Sequence, residues 1–438
     1  MPLESGTRQG AYPHTMKILL AGATGFIGSR LGAALRARGH DVVGVARRPG
    51  AHVAALDFEA ATPADWRRHL EGVDAVVNAV GIYREAPGAS FRRVHVDGPR
   101  ALFAACVEHG VRRVVQVSAL GADEAATTAY HLSKKAADDL LLALPLEAVV
   151  AQPSLVFDEH GPSARVFLMW ASLPLLPLPA GGNQPLQPVH ADDAVRALVA
   201  LVETLPAPLR GTRVPLVGAR PVTLRGYLEA LRRGLRLPPA PTLAIPAPWM
   251  TLAARLGDRL PRSLFDTASW QMLRRGNVAS ADAIASLLGA APREPHAFIT
   301  EDHADAVRTQ ARLAWLLPLL RLSLALVWIA TGIVSLGVFP VEHSYELLAR
   351  AGVPPAWRPA MLYGAAIFDL ALGVLTLWPL RRRRWLWLAQ AALILFYSAV
   401  IAVRLPEFWL HPYGPMLKNL PILAVLLLLA MLEPPKEA

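Results

Sequence analysis

Cysteine is almost missing from this sequence, since Cys106 is the only one among 438 residues. A single thiol cannot form an internal disulfide, which excludes a secreted fold held by a disulfide framework and fits a reducing compartment. The 13 histidines are scattered without the spacing of metal ligands. We therefore expect no metal site.

Charge is also scarce, because charged residues make up 18% of the chain and apolar residues 53%. That apolar share is high for a fully soluble protein. The net charge of +10 is spread along the chain rather than gathered in one part. Because a nucleic-acid-binding surface concentrates its basic residues, nucleic acid is not expected as a partner.

The beginning of the sequence lacks an apolar run, so no signal peptide is indicated. Residues 1–15 are expected to form a disordered leader. A predicted strand follows Met16 directly, and we expect Met16 to be the functional start.

A glycine-rich turn stands between the first predicted strand and the first predicted helix. Gly22, Gly25 and Gly28 have G-x-x-G-x-x-G spacing, which permits a tight turn, close approach of the backbone to a pyrophosphate and close helix packing. Within a βαβ unit this motif predicts a dinucleotide site. The expected binding residues of the turn are Gly22, Thr24, Gly25, Phe26, Ile27 and Gly28.

The second predicted strand ends without the acidic residue that NAD-binding proteins usually place there. Arg47 and Arg48 stand at this point instead. Because guanidinium groups bind a 2′-phosphate, they favour NADP, with NAD as the alternative.

The alternation of strands and helices continues to the end of the first third of the chain. One buried strand ends at residues 78–81 and another ends at Ser118. This rhythm predicts an α/β fold, a Rossmann-type doubly wound parallel sheet over residues 16–150, with ligands at the carboxyl ends of its strands.

Twelve residues after Ser118, Tyr130 and Lys134 stand four positions apart. On a helix they would share one face. The positive charge of the lysine is expected to lower the pKa of the phenol, which would suit a proton donor or acceptor near neutral pH.

These motifs, in this order, resemble the extended and atypical short-chain dehydrogenases/reductases, a superfamily that includes NAD-dependent epimerases and dehydratases. The segments "VHVDG" and "SALGAD" are most similar to the branch that contains the nucleotide-binding accessory subunit of respiratory complex I. The resemblance implies that Tyr130 is the catalytic acid/base, that Ser118 holds the substrate oxygen and that Lys134 binds the nicotinamide ribose. It also implies a cofactor role for Asp57, Ala79 and Gly81.

One position departs from the family pattern. The helix after the fourth strand is expected to supply a catalytic Asn, and "VHVDG" offers His95 instead. This departure favours a non-catalytic NAD(P)H-binding sensor or assembly factor as an alternative. An NAD-dependent epimerase or dehydratase is a further alternative, because the resemblance implies that these enzymes use the same fold with a tightly held cofactor.

Residues 151–300 are rich in proline, and the resemblance implies that they form a small substrate lobe. The segment "LPLLPLPAGGNQPLQP" is predicted to be a loop rather than a strand. A linker, residues 301–314, is expected to follow.

The composition changes at residue 315, after which four long apolar segments follow. They span residues 322–338, 360–380, 385–403 and 416–432. Each has about the length needed to cross a bilayer, and aromatic residues lie near their ends. The segments predict an all-α, four-helix transmembrane domain over residues 315–438, and a buried helical core in a soluble domain is the alternative.

The loop between the second and third segments carries the run 381–384, four arginines. The positive-inside rule places this loop in the cytoplasm. Four spans then place both termini and the nucleotide-binding half there, in a multi-pass protein of the inner (plasma) membrane.

The spacing of these segments and the phrase "HPYGPMLKNLPIL" resemble the DoxX-like membrane family, some of whose relatives are linked to quinone-coupled redox systems. Asp369, near the middle of the second segment, is a functional candidate because an ionisable group is costly at that depth. A structural role is the alternative, through a helix–helix hydrogen bond or a salt bridge with Arg321.

Together the two halves predict a membrane-anchored NAD(P)-dependent oxidoreductase. Its substrate is expected to be a lipid-soluble carbonyl, alcohol or quinone-like molecule. The oligomeric state is left open.

Overall fold

The computed structural model describes residues 15–260, 263, 265–380, 383–411, 414 and 416–433. It divides into two compact units, Met1–Ala311 and Arg312–Ala438. Except for Thr15, the predicted leader lies outside the described residues. The predicted boundaries at residues 150, 300 and 314 remain predictions.

The first unit alternates strands with helices. Its strands are β1 (Lys17–Ala21), β2 (Asp41–Ala46), β3 (Val53–Ala55), β4 (Ala75–Asn78), β5 (Arg113–Val117), β6 (Glu147–Pro153), β7 (Val156–Phe157), β8 (Leu176–Pro179), β9 (Pro185–Leu186), β10 (Val189–His190), β11 (Arg213–Leu216), β12 (Val222–Thr223) and β13 (Thr242–Ile245). Its helices are α1 (Phe26–Ala37), α2 (Pro63–Leu70), α3 (Gly98–Glu108), α4 (Ala129–Leu142), α5 (Pro162–Ala171), α6 (Ala191–Glu203), α7 (Leu224–Gly234), α8 (Ala247–Gly257), α9 (Thr267–Arg275) and α10 (Asp282–Leu288). A π-helical segment, Arg92–Asp97, leads directly into α3.

Seven strands form one sheet in the order β11-β6-β5-β4-β1-β2-β3, and every pair in it is parallel. The predicted doubly wound sheet is therefore confirmed. The strand order reverses between β1 and β4, and ligands of such sheets bind at the carboxyl ends of the strands at this switch point.

Both faces of the sheet are covered, and β1 shows why. Its successive side chains point to opposite faces. Ile18 and Leu20 are buried in one hydrophobic cluster together with residues of α1 and α6, while Leu19 lies in a second cluster with residues of α2 and α3. Two-sided burial explains why this strand is continuously apolar.

A third hydrophobic cluster lies beyond the sheet and is built on α5, α7 and the short strands β8 and β9. The expectation of an unbroken loop at "LPLLPLPAGGNQPLQP" was wrong, because β8 pairs in parallel with β13 along four residues. Leu176 and Leu178 alternate inward and are buried. Proline is tolerated here because β8 is an edge strand of a two-stranded pair.

Helix α11 (Ala304–Ile333) begins in the first unit. Ala304, Val307 and Ala311 are buried in the third cluster, so the predicted linker contains the first turns of a packed helix. A π-helical segment, Val334–Val338, continues α11.

The second unit is helical. It contains α12 (Val341–Arg350), α13 (Arg358–Leu377), α14 (Arg384–Arg404), α15 (Glu407–Leu410) and α16 (Asn419–Leu432). Among the described residues, three helical stretches are long and apolar enough to cross a membrane, Ala304–Val338, Pro355–Leu377 and Arg384–Arg404. The first and third predicted spans fall in these stretches, and the second overlaps Pro355–Leu377 and runs past its end to residue 380. The fourth overlaps α16, a shorter apolar helix of 14 residues, and begins three residues before it.

Candidate active site

The glycine turn joins β1, α1 and the end of β4 at close range. Gly22 has a φ of +80°, and a Cβ added to it would lie 2.8 Å from the backbone carbonyl carbon of Ala79. A Cβ on Gly28 would collide with the backbone oxygen of Gly22. Only glycine permits both the turn and this approach of helix to strand, so the predicted role of these residues has a steric basis.

The N-terminus of α1 has the features of an anion-binding site. The capping residue is Gly25, and within the described part of the chain no side chain caps this helix or places an acid in its first turn. Helix N-termini carry free N–H groups and a partial positive charge. A diphosphate fits this position.

A cavity of about 150 Å³ opens beside the turn, at the switch point of the sheet. Its walls come from the turn, from the ends of β2 and β4, from the segment after β3 and from the π-helical segment. The lining residues are Gly22, Thr24, Gly25, Val45, Ala46, Arg47, Leu56, Phe58, Glu59, Ala79, Val80, Gly81, Ile82 and Val94. This position matches the adenosine half of a dinucleotide.

The predicted cofactor residues differ in their relation to this cavity. Arg47 lies in its wall, whereas Arg48 and Asp57 are exposed and stand outside the lining described for it. Glu59, which the sequence analysis missed, lies in the cavity wall. One carboxylate oxygen of Glu59 is buried and has no hydrogen-bond partner in the described part of the chain, as expected of an acceptor for a ligand N–H or O–H.

Tyr130 and Lys134 both lie on α4, as predicted. Lys134 is buried, and its Nζ donates to the backbone oxygens of Val117 at 3.1 Å and Val80 at 3.3 Å. A Cβ on Gly81 would lie 2.9 Å from that Nζ. Since Gly81 also lines the cavity, Lys134 stands at the edge of the nucleotide site.

The pKa of Tyr130 corrects the expectation of an acidified phenol. Burial raises the pKa of Tyr130, and the nearby acidic groups Tyr83 and Asp138 raise it further. Lys134 contributes no opposing shift to the phenol, and burial lowers the pKa of its own ammonium group as well. Tyr130 therefore holds its proton firmly.

The histidine that replaces the expected Asn is buried and fully bonded. The Nε2 of His95 accepts from the backbone N–H of Ile82 at 3.0 Å, and its Nδ1 lies 2.9 Å from the hydroxyl oxygen of Ser133. That hydroxyl donates to the backbone oxygen of Tyr130, so Nδ1 must be the donor to Ser133. Burial, aided by the charge of Lys134, lowers the pKa of His95 to about 3. Neutral His95 therefore links the segment after β4 to α4 through these two hydrogen bonds.

Ser118 is placed differently from its predicted role. Its hydroxyl donates to a carboxylate oxygen of Asp138 at 2.5 Å. Asp138 is fully buried on α4, and burial raises its pKa. The sequence analysis missed Asp138, since a carboxyl at this helical position resembles an ordinary exposed one. The structure brings Ser118 to Asp138, and the role of Ser118 toward substrate stays a prediction.

Tyr83 and α9 border the site on the side of Tyr130. The ring of Tyr83 lies 5.4 Å from that of Tyr130. The hydroxyl oxygen of Tyr83 is 3.5 Å from that of Ser269, and the neighbouring Arg84 pairs with Asp266 at 2.8 Å. No motif in the sequence indicated this contact, because it joins residues far apart in the chain.

Asp369 is buried on α13, and one of its carboxylate oxygens has no hydrogen-bond partner in the described part of the chain. The salt bridge suggested with Arg321 does not form, because Arg321 pairs with Glu433 at 3.3 Å. Glu433 follows the last residue of α16, and a charge pair at a helix end costs less than one at the depth of Asp369.

Two family models match the chain. Residues 18–211 match the NAD dependent epimerase/dehydratase family, and residues 325–427 match the DoxX-like family.

Two relatives are reductases by name. A 3-diazoavenalumate denitrifying reductase from a Streptomyces species is 32% identical over 225 residues, which cover 43% of this chain and 73% of that protein. A ceramide reductase from Caulobacter vibrioides is 29% identical over 195 residues, which cover 43% of this chain and 61% of that protein. The chain spans 23% of an uncharacterized Mycobacterium tuberculosis protein that is 30% identical.

Solved structures show the same fold. A nucleoside-diphosphate-sugar epimerase from Staphylococcus aureus superposes with a TM-score of 0.54 at 17% identity, covering 65% of this chain and 100% of that one. A short-chain dehydrogenase/reductase superfamily protein from Agrobacterium tumefaciens with bound NAD superposes with a TM-score of 0.50 at 19% identity, covering 68% and 98%. The chain therefore belongs to the NAD-dependent epimerase/dehydratase family of short-chain dehydrogenases/reductases and is a membrane protein with a DoxX-like domain in its C-terminal part.

Proposed function

We propose that the protein is a membrane-anchored, NAD(P)H-dependent reductase of a carbonyl group on a lipid-soluble substrate. Tyr130 is the proton donor in this proposal, and Lys134 holds the ribose next to the nicotinamide. The observation that carries the proposal is the position of Gly81, which lines the nucleotide cavity and faces the Nζ of Lys134. The cofactor site and the Tyr–Lys pair thus form one continuous surface.

The state of Tyr130 favours reduction over alcohol oxidation. A nicotinamide cofactor, when bound, would supply the hydride that reduces the carbonyl carbon. The carbonyl oxygen then gains charge and takes the proton of the phenol. Burial raises the pKa of Tyr130, so the phenolate that alcohol oxidation would need as a base is disfavoured, while the phenol carries the proton that reduction needs.

NADP is the proposed preference among the two cofactors. Arg47 lies in the cavity wall, and among the described residues no carboxylate forms an ion pair with it. A guanidinium in this position binds a phosphate through charge-assisted hydrogen bonds. Glu59 would accept from the adenine or ribose, a contact that both cofactors share.

The substrate class is inferred from the membrane domain and from a relative. Spanning helices keep the reductase domain at a bilayer, where lipid-soluble substrates are concentrated. One reductase relative is named for ceramide, a long-chain amide. A ketone or quinone on a long-chain, lipid-soluble molecule is therefore the proposed acceptor.

The proposed location is the inner (plasma) membrane, with the reductase domain and both termini in the cytoplasm. The arginine run 381–384 supports this orientation, and its first two residues lie outside the described part of the chain.

A non-catalytic NAD(P)H-binding protein is the second candidate. The hydrogen bond from Ser118 to Asp138 favours it, because that bond occupies the hydroxyl proton expected to hold the substrate oxygen. Both ring nitrogens of His95 are also bonded, which leaves neither nitrogen for a proton relay.

The test is NADPH oxidation by the full chain in lipid nanodiscs, with a long-chain amide that carries a ketone, and with a short-chain quinone in parallel. Tyr130→Phe removes the proton donor and is expected to abolish oxidation while NADPH still binds. Tyr227→Phe is the matched control, since Tyr227 is a buried tyrosine on α7 in the third hydrophobic cluster, and it is expected to retain activity. Equal activity in Tyr130→Phe and the unmodified chain would contradict the proposed role. NADPH binding without any oxidation would favour the non-catalytic candidate.

A further inference from the structure

Helix α8 carries an apolar face that the first unit leaves exposed. Trp249, Leu252 and Leu256 are 65%, 48% and 51% exposed. Their spacing of three and four residues places them along one stripe of the helix. Leu260, just after the helix, is 63% exposed and extends the row. Side chains of this size in a continuous row indicate an interaction surface.

The opposite face of α8 is packed, so the exposed stripe is held in a fixed place. Ala254 is 1% exposed, and a Cβ on Gly257 would collide with the backbone oxygen of Phe265. The hydroxyl of Thr251 accepts a hydrogen bond of 3.1 Å from the indole of Trp270 on α9. Helix α8 is therefore a rigid part of the unit with an uncovered apolar side.

Basic residues flank the apolar stripe. Arg255 on the helix and Arg259 just after it are both exposed. A helix with tryptophan and leucine on one face and arginine beside them is typical of segments that lie in the interface of a bilayer. The arginines would meet anionic head groups there.

The first unit is covalently joined to a membrane-spanning stretch. Helix α11 starts with residues buried in the core of the first unit, Ala304, Val307 and Ala311. The same helix runs on to Ile333 as part of a membrane-spanning stretch. The first unit is thus joined by its own chain to a membrane-spanning stretch, and lipid is the apolar phase within its reach.

We propose that α8 lies in the bilayer interface with Trp249, Leu252 and Leu256 among the lipid head groups and upper acyl chains. This is a second attachment to lipid, separate from the spanning helices.

This docking would place the bilayer next to the site. Helix α9 packs on α8 through Trp270, and its neighbouring residue Ser269 reaches the hydroxyl of Tyr83, whose ring contacts Tyr130. Resting on the proposed function, the inference is that an amphiphilic substrate passes from the lipid surface along α8 and α9 to Tyr130.

The docking is tested without any substrate. Leu252→Cys is labelled with an environment-sensitive fluorophore in the full chain, in nanodiscs that contain phosphatidylglycerol and a lipid with a nitroxide near the top of its acyl chain. The native Cys106 is fully buried, and burial raises the pKa of its thiol to about 12, so it does not react at neutral pH. Val107→Cys on α3 is the control, a 38% exposed apolar residue beside the exposed Glu108 and His109.

We expect the nitroxide lipid to remove on the order of half of the fluorescence at position 252, because an interfacial helix lies at the depth of the nitroxide. The label at position 107 should be quenched by aqueous iodide and not by the lipid. Quenching of the 252 label by iodide alone would overturn the proposal. A 252 label shielded from both quenchers would also overturn it, because a second copy or another part of the chain would then cover α8. Both outcomes are independent of NADPH oxidation, so failure of the docking and failure of the proposed reaction are distinguishable.

Discussion

Replacing His95 by glutamine should remove a specific part of the acid sensitivity of the first unit. His95 is 1% exposed, and burial lowers its pKa from 6.5 to about 3. The folded state therefore binds a proton at His95 less readily than the unfolded chain does. Stability from this residue is complete above pH 6.5 and is lost as the pH falls toward 3.

The magnitude follows from the two pKa values. At pH 5 the histidine is protonated in the unfolded chain and still neutral in the folded one. Because pH 5 lies about 1.5 units below the unfolded pKa of 6.5, the free energy of unfolding falls by about 2 kcal/mol. For a unit of this size the loss corresponds to a fall in melting temperature of roughly 3 °C. Burial also lowers the pKa of His131, to about 4, so the unmodified chain should lose more than His95 alone explains.

The assay is thermal unfolding by near-ultraviolet circular dichroism in detergent at pH 7.5 and pH 5. In His95→Gln the amide oxygen can still accept from the N–H of Ile82. The difference in melting temperature between the two pH values should shrink by the amount attributed above to His95. His109→Gln changes an exposed histidine that directly follows α3, and it should leave the difference in melting temperature between the two pH values unchanged. An equal pH dependence in His95→Gln and the unmodified chain would refute the assignment of a neutral, buried His95.

Two further substitutions test the nucleotide site. Arg47→Ala should weaken NADPH binding about tenfold and leave NADH binding unchanged, because a hydrogen bond from an exposed arginine to a phosphate contributes about 1–2 kcal/mol of binding free energy. Equal losses of affinity for both cofactors, measured by isothermal titration calorimetry, would count against the 2′-phosphate contact. Gly28→Ala adds a Cβ against the backbone oxygen of Gly22 and should cost roughly 1–3 kcal/mol of stability together with NADPH affinity. Gly50→Ala is its control, since the added Cβ meets nothing nearer than 3.9 Å, and a similar loss in both variants would show that the collision at Gly28 is not the cause.

The features predicted from the sequence are those that depend on short stretches of chain. The glycine turn, the strands of the sheet and the helical Tyr130–Lys134 pair each follow from local spacing, and local patterns determine turns and helix faces. The apolar segments follow from composition and length in the same way.

The features that sequence reasoning missed depend on tertiary packing. The placement of Glu59 rather than Asp57 in the cavity wall is set by where the chain turns after β3. The raised pKa of Tyr130 depends on burial, which residue spacing does not show. In the sequence, the apolar stripe on α8 has the pattern of an ordinary buried helix face. Only the fold shows that the helix packs through the opposite face, which carries Ala254 and Gly257.

Transfer of deuterium from NADPH labelled at C4 of the nicotinamide tests the central claim most directly. The full chain in nanodiscs receives the labelled cofactor and the long-chain keto amide, and the product is examined by mass spectrometry. A reductase is expected to leave deuterium on the newly formed carbinol carbon, and Tyr130→Phe is expected to leave almost none. The account would be contradicted if NADPH binds but no deuterium appears in a product of the ketone and the quinone does not oxidise NADPH. That result would identify the protein as a binder rather than a catalyst.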